Sequence, residues 1–173
     1  MYKLFSKLFK KIRHWMYELM GIGVVEIESS LSAIHIKKNG ITRDLGVICR
    51  KKVTKAFVNF LVDNLQTETS AFGDFKYHEV GTGNTAEANT QTALEGSSGI
   101  ARKAGTQTEG TSANIYRTVA TITADATENW VEHGVFNAST GGIMMDRSVF
   151  SAIGVESGDT VQFTYELTCN AET

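Results

Sequence analysis

Thr160 to Thr168 reads TVQFTYELT, and its strict alternation sets the terms for what the chain can become. Successive side chains on an extended strand point to opposite faces, so Val161, Phe163, Tyr165 and Leu167 share one face and the polar residues between them share the other. Such a strand buries one side and wets the other, the habit of an antiparallel sheet. The same period returns in IYRTVATIT (115–123), WVEHGVF (130–136) and GIMMDRSVF (142–150), with turn signals at 138–142 and 157–159. Asn39-Gly40 lies between two apolar runs and is a strong hairpin signal, because both residues tolerate positive φ. Strands are therefore expected near 24–28, 32–38 and 41–50 as well. Together these predict a mainly β fold, an antiparallel β-sandwich of jelly-roll or Ig-like type.

Three segments break the alternation. The opening MYKLFSKLFKKIRHWMYELM places Leu4, Leu8, Ile12, Trp15, Met16 and Leu19 on one side of a helix, with Phe5 and Phe9 at its edge. Lys3, Lys7, Lys10, Lys11 and Arg13 project elsewhere, and Gly21 to Gly23 supplies the stop. Thr54 is placed to cap a short internal helix over 54–66, whose apolar stripe reads Phe57, Val58, Leu61, Val62 and Leu65. Residues 81–114 are dense in Gly, Thr, Ser and Asn, the composition of extended loops. A loop that long is either functional or ordered by a neighbouring subunit. The expected organisation is a basic amphipathic helical arm, residues 1–22, on a β-rich structural domain, residues 23–173.

Charge divides along the same line. The formal net charge is only −2, yet residues 1–56 hold 12 Lys/Arg against 4 Asp/Glu, and residues 57–173 hold 5 against 15. A half of about +8 followed by one of about −10 favours contact with acidic scaffolds or between copies. The arm's side chains expected to make that contact are Leu4, Phe5, Lys7, Leu8, Lys11, Ile12, Arg13, Trp15 and Leu19. Docking in a protein groove is favoured over packing on the chain's own core, over a membrane surface and over nucleic acid, which would leave the large apolar residues unused. No stretch approaches 18 uninterrupted apolar residues, and charges recur through the opening segment, so neither a membrane span nor a signal peptide is expected.

The residues of chemistry are sparse. GTGNT (81–85) lacks both the third glycine of a dinucleotide fingerprint and the Gly-Lys-Ser/Thr of a P-loop, and reads as a turn. His78 beside Glu79, and His133 beside Glu132, would make a cation site if all four converged. Neighbours on a strand face opposite ways, which favours structural histidines and no metal. Asp146 beside Arg147 reads as an ion-pairing motif at a hairpin. Cys49 and Cys169 lack any metal-ligand spacing and read as buried thiols. Trp130 falls in a strand pattern that places it in the core rather than on an exposed platform for glycans. With no nucleophile elbow, no enzyme activity and no cofactor are expected.

Several of these stretches resemble a known group. FKYHEVGTGNTAEANTQTALE, ARKAGTQTEGTSANIYRTVATI and VEHGVFNASTGGIMMDRSVFSAIGVESGDTVQFTYELT are similar to small structural proteins encoded by tailed bacteriophages. The shared features are the GTG-T turn at Gly81 to Thr85 with Thr92 to Leu94 after it, the segment Glu132 to Phe136, the hairpin Thr140 to Phe150 and the strand Gly158 to Tyr165. LGVICRKKVTKAFVNFLVD (45–63) matches the usual lead-in, so the resemblance covers about 45–170. One departure is Gln91, where many relatives carry Asp. The resemblance implies a noncatalytic virion component, assembled in the host cytoplasm, homo-oligomeric, with the major capsid protein or a neighbouring virion protein as partner. Capsid decoration or cementing suits a short chain without coiled-coil heptads; a head-to-tail connector or a tail or fibre-attachment component comes second. From other classes, a membrane-surface protein or a glycan-binding module is the alternative.

Overall fold

The structure, a computed structural model, describes residues 26–51, 53–65 and 75–170. The chain divides into two units, Ile27–Thr168 and a smaller one made of Met1–Glu26 with Cys169–Thr173. The larger unit carries the β-rich body. Its elements run β1 (Glu26–Ile36), β2 (Thr42–Lys51), α1 (Lys55–Leu65), β3 (Tyr77–Gly81), β4 (Lys103–Ala104), β5 (Thr106–Glu109), β6 (Ile115–Thr123), β7 (Glu128–Phe136), β8 (Met144–Val155) and β9 (Thr160–Asn170). They form two antiparallel sheets, one ordered β2-β1-β9-β6-β5 and the other β4-β3-β7-β8. The mainly β class with one internal helix is as the alternation indicates.

Where the period is strict, the strands match the reading. β6 occupies the nine residues IYRTVATIT and pairs antiparallel with β9 from Ile115↔Thr168 to Thr123↔Thr160. Val161, Phe163, Tyr165 and Leu167 of β9 are all buried. Across from them, Trp130 of β7 and Phe150 of β8 approach Phe163 with ring centroids 6.4 and 6.2 Å apart, so residues of both sheets share one core. Asn39-Gly40 does turn a hairpin: Gly40 takes φ of +87° and Lys37 N–H donates to the Ile41 carbonyl.

Two details differ from expectation. β1 is one strand where the sequence suggested two, because the Ser29-Ser30 interruption is accommodated: the buried Ser29 hydroxyl donates to Asp146 Oδ2 of the other sheet at 2.8 Å. Cys49 is buried as expected but Cys169 is exposed, since it lies beyond Thr168, where pairing with β6 ends.

The internal helix also turns differently. Thr54 caps it, accepting from the Phe57 amide at 3.1 Å, while its own hydroxyl and amide donate to the Met144 and Met145 carbonyls of β8. Phe57 and Phe60 are buried and Leu61 is half-buried against the core, whereas the sequence reading had Phe57, Val58, Leu61, Val62 and Leu65; Val58 and Val62 are exposed, and the Leu65 side chain lies outside the described residues. Phe60 wins the inner position because an aromatic ring removes more surface from water than a valine. It packs edge-on against Phe75 at 4.9 Å, as Phe57 does at 5.1 Å.

One side of the two sheets is closed by the chain itself. β4 belongs to one sheet and β5 to the other, with only Gly105 between them. A Cβ on Gly105 would stand 2.6 Å from Thr118 Oγ1 and 2.9 Å from the Val119 carbonyl oxygen. Only glycine lets the strand cross there without displacing β6.

Candidate functional site

The arm residues Leu4, Phe5, Lys7, Leu8, Lys11, Ile12, Arg13, Trp15 and Leu19 lie outside the described residues. The polar motifs of 78–159 are described, and they assemble into three internal clusters.

The largest is built on β7 and β8. A register shift between Trp130 and Glu132 changes the phase of β7, so that Trp130 and His133 both face the core while Glu132 faces away. Arg147 sits opposite Gly134, diagonal to Glu132 on that same outer face. Its Nε donates to Glu132 Oε2 at 2.7 Å, and both side chains are essentially inaccessible, 1% and 0% exposed. What covers them is the Gly-rich loop. Glu132 Oε1 accepts from the amides of Gly83 (2.9 Å) and Gly96 (2.7 Å), and Oε2 from that of Glu95 (3.2 Å). Arg147 reaches the Thr85 carbonyl and Gln91 Oε1, both at 3.2 Å.

GTGNT is thus an anion cradle whose anion belongs to the chain. A Cβ at Gly81 or Gly83 would stand 2.6 Å from Glu132 Oε1, and one at Gly96 2.8 Å from the Gly83 nitrogen. The glycines let loop amides close on a carboxylate as they would on a phosphate. Gln91 supplies an oxygen acceptor to Arg147, so an uncharged side chain serves at this position. Sequence reasoning paired Arg147 with Asp146 and missed Glu132. The two neighbours face opposite ways: Asp146 accepts from Ser29 and, at 2.7 Å, from Ser148. The period-2 rule that separates His133 from Glu132 separates Asp146 from Arg147 too. The loop was also expected to need a function or a neighbouring subunit; its backbone groups find these partners within the chain.

Behind the clasp, in the core, two histidines meet. His78 Nδ1 lies 2.9 Å from His133 Nε2, and His78 Nε2 lies 3.1 Å from Thr118 Oγ1 of the other sheet. His133 also packs on Phe163, and its buried Nδ1 has no hydrogen-bond partner among the described residues. Burial favours the neutral imidazole at both, lowering His78 to about 3 and His133 well below its usual value, with His78 itself adding to the effect on His133. The glutamates go elsewhere. Glu79 Oε2 accepts from Arg102 Nε at 2.7 Å, and Glu132 is held by Arg147. The four groups of the sequence-level cation site do not converge; among the described residues no group of three His, Cys, Asp or Glu is placed to hold a metal.

The third cluster secures the β8–β9 turn. Asp159, 1% exposed, accepts from the Lys38 amide at 2.8 Å and the Glu156 amide at 3.2 Å, and its Oδ2 lies 3.0 Å from His35 Nε2. The Lys38 amide is the main cause holding its carboxyl down to about 2; His35, the Glu156 amide and Lys37 add to it, and burial opposes. Trp130, fully buried with its indole N–H donating to Glu128 at 3.0 Å, offers no platform to a glycan.

In all three clusters the buried charged groups are held by backbone amides or neighbouring side chains, an arrangement that fixes loops and strand registers. Comparison with protein-family models, curated proteins and solved structures finds no match to this chain.

Proposed function

We propose that this chain is a noncatalytic structural protein of a tailed-phage virion, most simply a capsid decoration or cement protein. In this reading the two sheets form an antiparallel β-sandwich of jelly-roll or Ig-like type that oligomerises on the particle, and the arm of residues 1–22 anchors it as a helix to the major capsid protein or another virion neighbour. A connector or tail component is the next reading within the same class.

The observation that carries the proposal is the Glu132–Arg147 clasp. The residues through which the sequence resembles phage structural proteins, Gly81 to Thr85, Glu132 and Arg147, are the ones that lock a long polar loop onto β7 and β8. A shell component needs surface loops of fixed shape, because each contact is repeated by symmetry over the particle. The segregated charge supports an arm that docks on an acidic neighbour. Burying about six large apolar side chains of the arm would contribute on the order of 10 kcal/mol before ordering costs.

Co-sedimentation with phage capsids depleted of this protein tests the reading. The full-length chain should pellet at a stoichiometry near that of symmetry-related shell sites, and a version lacking residues 1–22 should stay in solution with its β-sheet circular dichroism unchanged. If neither version binds, decoration is wrong; if both bind equally, the arm is not the anchor.

A further inference from the structure

The side opposite Gly105 is open. β2 ends the order of one sheet and β8 ends that of the other, and between them lies a cavity of about 590 Å³. Leu45, Ile48 and Ile153 supply its apolar floor; Ile41 and Val47 rise beside it, 62% and 48% exposed, among the most exposed large apolar side chains described. Along β8 the lining residues Ser151, Ala152 and Gly154 are small and exposed, and a Cβ on Gly154 would meet only Asn129 Oδ1, at 3.4 Å. Room is therefore left beside β8 for another backbone.

The ionisable groups at this cavity have one sign. Among the described residues, Lys37, Arg43 and His35 line it and no acid does. His35 is engaged by Asp159, and Lys37 lies 3.9 to 4.0 Å from Asp159 and Glu156. Arg43 has no ionic partner among the described residues, and Asp44, the acid beside it on β2, pairs across to Ile34 and turns its carboxylate to the Gly46 amide.

We propose that this open seam binds an extended, acidic segment of a partner protein, laid along the strand edges as an added strand. Its apolar side chains would cover Leu45, Ile48 and Ile153, its backbone would use the edge groups of β2 and of β8 over 151–154, past the stretch of β8 that Val53, Thr54 and Glu87 already occupy, and its carboxylates would meet Arg43 and Lys37. Charge decides between occupants. Two copies joined by their β2 edges about a two-fold axis would bring Arg43 and Lys37 of each against those of the other, and the chain's own arm is net basic, with five Lys/Arg against Glu18. An acidic partner removes that repulsion and leaves the arm available for a separate contact.

The test uses the full chain and a fluorescein-labelled heptapeptide of alternating glutamate and valine, followed by fluorescence anisotropy at about 50 and about 300 mM salt. Saturable binding that weakens at the higher salt is expected, with affinity lowered about tenfold by Arg43→Glu and again by Val47→Asp. Both positions are exposed, and thermal unfolding of each variant should match the parent. The matching lysine–valine peptide should not bind. No binding of the acidic peptide, equal binding of the two peptides, or indifference to Arg43→Glu would overturn the proposal. So would binding that appears only after Leu8→Pro, which would make the arm the occupant, or a concentration-dependent dimer in sedimentation that Val47→Asp dissolves, which would make it a second copy.

Discussion

The two sides on which the sheets meet handle their edges in opposite ways. At one, β4 passes into β5 through Gly105, and the inter-sheet hydrogen bond between His78 and Thr118 lies directly beneath the crossing; a Cβ there would stand 3.0 Å from His78 Nε2. At the other, β2 and β8 end their sheets; Val53 and Thr54 meet β8 at Met144 to Asp146, and beside its remaining stretch at 151–154 lie Ile41, Val47 and Arg43. Exposed strand edges invite pairing, so under the proposed docking the side sealed by β4 and β5 is structural and the side lined with apolar residues is the one that binds. Stability should concentrate at the first and binding at the second.

Arg147→Met should have the largest effect. It leaves Glu132 buried with backbone amides alone, and breaking a buried pair on one side costs about 3–5 kcal/mol, read as a fall in the urea midpoint. Acid should come next. His78 and His133 are held neutral when folded, with folded values below the unfolded 6.5, so the unfolded state binds more protons. Their contribution is complete above about pH 6.5 and is lost progressively as pH falls below it. Asp159 acts lower: its folded value near 2 lies below its unfolded one, so its contribution persists above about pH 4 and is lost between there and pH 2. Urea titrations at several pH values should show both losses, with the upper slope reduced in His133→Phe. If stability is flat from pH 7 to 5, the histidine pair is not buried and neutral.

Smaller still, Gly105→Ala should cost about 1–3 kcal/mol through its contacts with Thr118 and Val119, while Val47→Thr on the open side should change stability by no more than about 0.5 kcal/mol. Equal costs at the two positions would erase the distinction between the sides.

The strands were legible where alternation was strict, as in β6 and β9, and the cap at Thr54 and the hairpin at Asn39-Gly40 were legible because each rests on a local backbone requirement. The clasp was not. Glu132 and Arg147 lie 15 residues apart and meet through a diagonal register that only the paired strands define, while Gly83 and Gly96 come from a loop with no period to read. The helix stripe was misjudged for a related reason. Val58 and Phe60 compete for the inner face, and the decision is made by Phe75, which lies beyond the helix in sequence. Composition alone read residues 81–114 as extended loops, whereas β4 and β5 form within them and Ile100 packs against the core, and it carried no sign that a buried carboxylate would order the glycine-rich part.

Hydrogen exchange at the Gly83 and Gly96 amides tests most directly whether the motif residues hold this loop. Slow exchange is expected at both in the native chain, with loss of that protection in Glu132→Gln while the β6 and β9 amides stay protected. Fast exchange at Gly83 and Gly96 in the native chain would contradict the clasp.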